Sequence, residues 1–166
     1  MEDRILLGQE VEPLQTTIRY FRTTDIGQAL QLWSMTEGLS LTESDTEDAI
    51  KTFLDRNPGF SAVATDQAGM VIGAVLCGHN GRAGFLYHLA VAQTYRRNGL
   101  GTRLVQFCLS KLAEVDVPRC NIFVYTANDL GNQFWLRHGW NDPSRWKVLQ
   151  KRIELVAPAE REPRLS

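Results

Sequence analysis

Short β-rich runs alternate with stretches of helical spacing along the 166 residues of the chain. Residues 17–21 (TIRYF) predict a first strand. Ile26, Ala29, Leu30 and Trp33 then recur at helical spacing, and Asp25 with Gln28 three positions on forms a capping-box pattern before them. The polar connection EGLSLTES leads to a second such box, Ser44 to Glu47. Ile50, Phe53 and Leu54 follow it, and Asn57-Pro58-Gly59 ends that helix.

The middle of the chain predicts a meander. Strands over 60–65 (FSAVAT), 70–79 (MVIGAVLCGH) and 85–91 (FLYHLAV) are joined by the turn sequences DQAG and NGRAG. From Gly99 the period becomes helical, with Leu104, Phe107, Cys108 and Leu112 in one stripe. A strand over 120–126 (CNIFVYT) comes next. A short helix follows, with Asn128 as its N-cap, Leu130 and Phe134 as its inner pair, and Gly139 as its stop. RWKVLQKRI (145–153) predicts a last strand, with Trp146, Val148 and Leu149 inward. The order β-α-α-β-β-β-α-β-α-β describes one α/β (α+β) domain with a mixed sheet. Residues 1–16 form an N-terminal arm, 17–155 the domain and 156–166 a polar, flexible tail.

Composition narrows the function classes. Eighteen Lys and Arg balance 19 Asp and Glu, so the net charge of −1 gives no overall field to draw the chain to nucleic acid or a membrane. Apolar residues, 43% of the chain, suffice for a core, yet no run approaches the roughly 20 residues of a membrane span. The acidic start MEDRILLGQEVE does not read as a signal peptide. Cys77, Cys108 and Cys120 sit in apolar surroundings and read as reduced core thiols of a cytoplasmic protein. No Cys/His cluster has metal-ligand spacing, so no metal is expected.

Chemistry concentrates in one turn, Arg96-Arg97-Asn98-Gly99-Leu100-Gly101, between a strand and a helix. Bare N–H groups at a helix start carry partial positive charge, and the two arginines add full charge beside them. Leu104 stands where a dinucleotide fingerprint needs its third glycine, and Gly101-Thr102-Arg103 lacks the Walker lysine. A kinase glycine loop joins two strands, not a strand to a helix.

The pattern Arg96-x-x-Gly99-x-Gly101, preceded by LAV and followed by an amphipathic helix, resembles the acetyl-CoA pyrophosphate loop of the GNAT superfamily of N-acetyltransferases. ANDLGNQFWLRHGW resembles the closing segment of that family, with Asn128, Phe134, Gly139 and Trp140 at matching positions. The resemblance spans roughly residues 17 to 153. It implies a single domain with a mixed, mainly antiparallel sheet and helices on both faces.

The resemblance also implies site residues. Leu89, Ala90 and Val91 would offer main chain to the pantetheine arm of acetyl-CoA. The amides of Arg97, Asn98, Gly99, Leu100, Gly101 and Thr102, with Arg96 beside them, would hold its pyrophosphate. Asn128 would face the same ligand. Trp135 stands at the cofactor-side position where many members carry a proton-donating Tyr, and an indole cannot replace that acid. Another group or solvent would then protonate the thiolate.

Strand alternation groups Phe85, Tyr87, Leu89 and Val91 on one side and turns His88 the other way, as a satisfied core histidine. Tyr87 and Tyr125 are therefore the expected catalytic residues, flanking the acetyl group. Glu37 and Glu43, in the connection that roofs the acceptor site in the family, would suit a cationic amine. Trp33 and Trp140 read as core aromatics, while His79 and His138 sit near turns without evident partners.

The resulting expectation is an N-acetyltransferase moving acetyl from acetyl-CoA to a primary amine of a small molecule, an amino acid derivative or a protein. A homodimer is compatible with the family. The rivals are a catalytically quiet acyl-CoA-binding module and a nucleotide binder using the same loop.

Overall fold

The computed structural model describes residues 15–143 and 147–155. Five strands form one sheet in the order β1-β2-β3-β4-β5. They are β1 (Thr17–Tyr20), β2 (Ala62–Thr65), β3 (Val71–His79), β4 (Gly84–Val91) and β5 (Cys120–Ile122). The first four pair antiparallel, whereas β5 lies parallel to β4. Helices α1 (Ile26–Ser34) and α2 (Glu47–Arg56) precede β2, α3 (Leu100–Glu114) follows β4, and α4 (Asp129–Arg137) follows β5.

Each face of the sheet carries its own apolar cluster. On one face Leu104, Val105, Cys108 and Leu112 of α3 pack with Trp135 of α4 against Ala62, Ile72, Val75 and Leu86. On the other, Ala29, Leu32 and Trp33 of α1 and Ile50 and Leu54 of α2 pack against Val63, Ala74, Leu76 and Ala90. The stripe expected on α3 is the one that is buried, so period 3.6 on the helix and period 2 on the strands meet as the sequence dictates. Trp33 is fully buried, and the thiols of Cys77, Cys108 and Cys120 are free. Burial pushes the Cys120 thiol up to about 12.

Several expectations need correction. Over 147–153 the chain is not a strand, and Val148, Leu149 and Ile153 are exposed; Trp146 lies outside the described residues, as do most of the arm and the whole tail. Strand β5 stops at Ile122, four residues before the expected end. In α4 Leu130 is exposed, and Trp135 is the residue that enters the core.

Both capping boxes shift. Asp25 Oδ2 accepts from the Arg22 N–H (2.8 Å), and its carboxylate is gripped by both terminal nitrogens of Arg19 (2.7 and 2.8 Å). Gln28 instead reaches the sheet, its Oε1 accepting from the Val71 N–H. The cap of α2 is Thr46, whose hydroxyl accepts from the Ala49 N–H.

Candidate functional site

The end of β4 is built differently from its start. Gly84, Phe85 and Leu86 pair with Cys120, Asn121 and Ile122, and there the pairing with β5 ends. Tyr87–Val91 continue with no strand on that side among the described residues, so the sheet opens between β4 and β5. The opening puts Leu89, Ala90 and Val91 where an extended chain of amides could add as a strand.

A bulge lies at the same place. Ala74 faces Ala90 and Leu76 faces Tyr87, which leaves Val75 opposite both His88 and Leu89. His88 takes φ +56°, a left-handed conformation unusual for a side chain with a β-carbon. The extra residue resets the alternation. Leu86, Leu89 and Val91 pack on the α3 face, while Tyr87 and Ala90 pack on the α1–α2 face. The expected grouping of Tyr87 with Leu89 and Val91 therefore does not hold.

Beyond β4 a short 3-10 turn, Gln93–Tyr95, leads into the glycine loop. Gly99 has φ +71° and caps α3 without a side-chain bond. The first helical bond runs from the Arg103 N–H to the Gly99 carbonyl. The six N–H groups from Arg97 to Thr102 find no acceptor among the described residues. Arg97 is also left-handed, at φ +64°. Strain in non-glycine residues gathers at functional sites, and His88 and Arg97 both lie here. The Arg96 Nε donates to the Val91 carbonyl (2.9 Å), tying the loop to the strand end.

Gly101 discriminates between a structural and a binding role for the loop. A β-carbon there would stand 3.7 Å from the Phe134 ring and 3.8 Å from Val91, which is ordinary contact. Packing does not require glycine at this helical position, and its absent side chain leaves the main chain open to close approach. The residues present thus fit a diphosphate.

Side chains close the cradle from the α4 side. His138 Nδ1 lies 2.7 Å from the Phe134 carbonyl and Nε2 lies 2.8 Å from Thr102 Oγ1. A carbonyl only accepts, so Nδ1 carries a proton, and in the neutral ring the Thr102 hydroxyl donates to Nε2. Asn128 caps α4, its Oδ1 accepting from the Gly131 N–H (2.9 Å), and its Nδ2 donates to the Gly38 carbonyl (3.3 Å) in the α1–α2 connection. Trp135, 7% exposed, packs edge-on against Phe134 and Trp140. It is a core residue, and Phe134 is the ring beside the loop.

On the α1–α2 face a cavity of about 300 Å³ opens between α2 and strands β3 and β4. Its polar corner is a pair the sequence did not disclose. His88 Nε2 lies 2.6 Å from Asp45 Oδ1, with the side chains 18% and 8% exposed. Burial pushes the Asp45 carboxyl up, but bonds from the Thr42 N–H, from His88 and from the Thr42 hydroxyl outweigh it and hold the carboxyl below its ordinary value. In the neutral ring the carboxylate holds the proton on Nε2, which leaves Nδ1 as the lone-pair nitrogen. The Trp33 ring braces His88 at 5.2 Å. So His88 is satisfied, as expected, yet it lines the cavity together with Tyr87.

Tyr87 stacks on Phe85, which stacks on Phe123, and burial pushes its hydroxyl pKa up. Tyr125 lies past the end of β5, exposed, with its carbonyl bonded to the Asn128 N–H. Glu37 and Glu43 are exposed, and Glu43 sits 3.7 Å from Arg152. The carboxylate at the cavity is Asp45. Among the described residues no group of His, Cys, Asp and Glu could hold a metal ion.

The sequence matches the profile of the acetyltransferase (GNAT) family over residues 27–140, which include the loop, the gap and both polar corners. The chain belongs to this family. An acetyltransferase of Sodalis glossinidius is 32% identical over 112 residues, 68% of this chain and 78% of that protein. The structure of Ard1 from Thermoplasma volcanium superposes with a TM-score of 0.65 at 28% identity, over 75% of this chain and 81% of that one. A Mycobacterium tuberculosis protein solved in complex with CoA gives a TM-score of 0.60 at 21% identity, over 74% and 70% of the two chains. This GNAT domain therefore has the mostly antiparallel sheet with helices on both faces that its sequence predicts, with five strands among the described residues where six were expected.

Proposed function

We propose that this GNAT acetyltransferase moves an acetyl group from acetyl-CoA to a primary amine. The observation that carries the reading is the row of six unpartnered N–H groups from Arg97 to Thr102, beside the opened half of β4. These amides, the Arg97 guanidinium and the α3 dipole would hold the pyrophosphate. The main chain of Leu89–Val91 would pair with the pantetheine amides. That the M. tuberculosis structure contains CoA supports this assignment.

Bound acetyl-CoA supplies an acetyl thioester, on which an amine forms a C–N bond as the C–S bond breaks. The amine must first be neutral. His88 would take its proton, and the Asp45 carboxylate, 2.6 Å from Nε2, would stabilise the imidazolium that results. Tyr87, in the same cavity, orients the acceptor through a hydroxyl that burial keeps protonated. This division assigns proton transfer to His88 rather than to Tyr125. A thiol of pKa about 8–9 leaves readily as thiolate, so solvent suffices to protonate it. A cytoplasmic location belongs to the same reading; among the described residues no helix is long and apolar enough to cross a membrane.

Calorimetry with acetyl-CoA, ATP and NAD, combined with free-thiol release across a panel of amines, tests the proposal. Binding of acetyl-CoA alone among the three, with thiol release driven by an amine, is the expected result. Binding without turnover on any amine supports a quiet acyl-CoA module, and preference for ATP or NAD overturns the assignment.

A further inference from the structure

The cavity beside His88 is chemically lopsided, and the asymmetry bears on the acceptor. Its walls are Ala49, Ile50 and Phe53 of α2, Leu76 of β3 and the Tyr87 ring of β4. Phe53 and Tyr87 meet edge to face, centroids 5.8 Å apart. Charge enters only at the corner where Asp45 meets His88, and that carboxylate is already engaged by the imidazole and by Thr42. At about 300 Å³ the cavity is at the small end of ligand sites. A cavity of about 150 Å³ holds benzene, so this one has room for a ring or a branched alkyl group together with the carbons that carry an amine.

We propose that the acceptor is a primary amine carried one or two carbons from an aromatic or branched apolar group, with that group seated between α2 and β3–β4. The inference rests on the acetyltransferase reading and specifies its substrate. With the amine at His88, the attached group meets Ile50, Phe53 and Leu76, and an aromatic ring finds the Phe53–Tyr87 pair ready for edge-to-face contact. Among the described residues that line the cavity a polycation finds no second carboxylate, and burying its extra ammonium groups against these walls would be costly. The same chemistry can come from a free amine or from the first residue of a peptide.

The test uses the full chain with acetyl-CoA. Phenethylamine and leucine amide represent free amines; a hexapeptide beginning with Phe represents the other source. Glycine amide, Nα-acetyl-lysine amide and neamine are the comparison set. The expected result is a kcat/KM about tenfold or more higher for the apolar amines, the scale on which a pocket distinguishes apolar groups. Peptide against free amine then identifies the source. Ala49→Phe, which narrows the cavity from the side of α2, should raise KM for apolar amines while the acetyl-CoA Kd is unchanged. Phe53→Leu should shift preference toward bulkier amines.

A readout independent of turnover is the NMR shift of the Tyr87 and His88 ring signals when phenethylamine is added with CoA present. Movement of both signals, lost in Ala49→Phe, supports the proposal. Still signals, or a preference for neamine or the lysine derivative, overturn it while acetyl-CoA binding stands. Failure to bind acetyl-CoA overturns the underlying reading as well.

Discussion

His88 and Asp45, 43 residues apart in sequence, are joined at 2.6 Å across the space between β4 and the approach to α2. Removing either should separate proton transfer from binding. His88→Ala is expected to lower kcat about 10²–10⁴-fold, the range of a lost general base, with acetyl-CoA affinity kept. Asp45→Asn should cost less, because the imidazole stays while the amide cannot stabilise the imidazolium. Steady-state kinetics alongside calorimetry checks both. Equal kcat in His88→Ala and wild type would remove His88 from the mechanism.

Gly101→Val probes the cradle with little interference from folding. The position is helical, its surroundings leave ordinary contact distance for a β-carbon, and the added methyls would occupy ligand space. Acetyl-CoA binding should be lost while the melting temperature changes by a few degrees. Gly99 is the poorer probe, because its φ of +71° would strain any replacement. A folded Gly101→Val protein that binds acetyl-CoA normally would refute the assignment.

The Asp25–Arg19 pair should make stability acid-sensitive. Burial raises the Asp25 carboxyl, but Arg19 and the Arg22 N–H outweigh it, so its folded pKa lies below the ordinary value of about 3.9. Its contribution is then complete above that value and is lost as pH falls through the folded pKa. Melting temperatures between about pH 7 and pH 2 should fall less steeply for Asp25→Asn, which starts lower at neutral pH. Parallel curves would show that Asp25 contributes nothing to acid lability.

Trp135→Tyr restores the residue usual in the family, and from sequence it would be expected to keep or raise activity. The buried indole alters that expectation. The smaller ring should cost about 1–3 kcal/mol, less than the ~3–5 of truncation to Ala, with kcat per folded molecule unchanged. Chemical denaturation with active-site titration measures both. A rise in kcat would mean that a hydroxyl at 135 reaches the reacting thiol after all.

The fold was legible because burial writes two periods into a chain. Leu104, Cys108 and Leu112 gave α3, and the alternating runs gave the meander. The glycine loop was legible because Gly99 and Gly101 stand together before a helix. Pairings between distant segments were not. Nothing local marks Asp45 as the partner of His88, or Thr102 as the partner of His138 36 positions away. The turn to the wrong face at His88 has a specific cause: alternation carries no signal for one residue inserted into a ladder. The segment 147–153 has a strand's composition, but strands exist by pairing, and β5 ends at Ile122.

The bulge also fixes how β4 can change by mutation. Deleting residue 88 would restore a regular ladder, with Leu89 opposite Val75 and Ala90 still opposite Ala74, so Leu89, Ala90 and Val91 would keep their faces and both apolar layers their packing. What would go is the side chain that meets Asp45. The sheet can spare this residue; the cavity cannot.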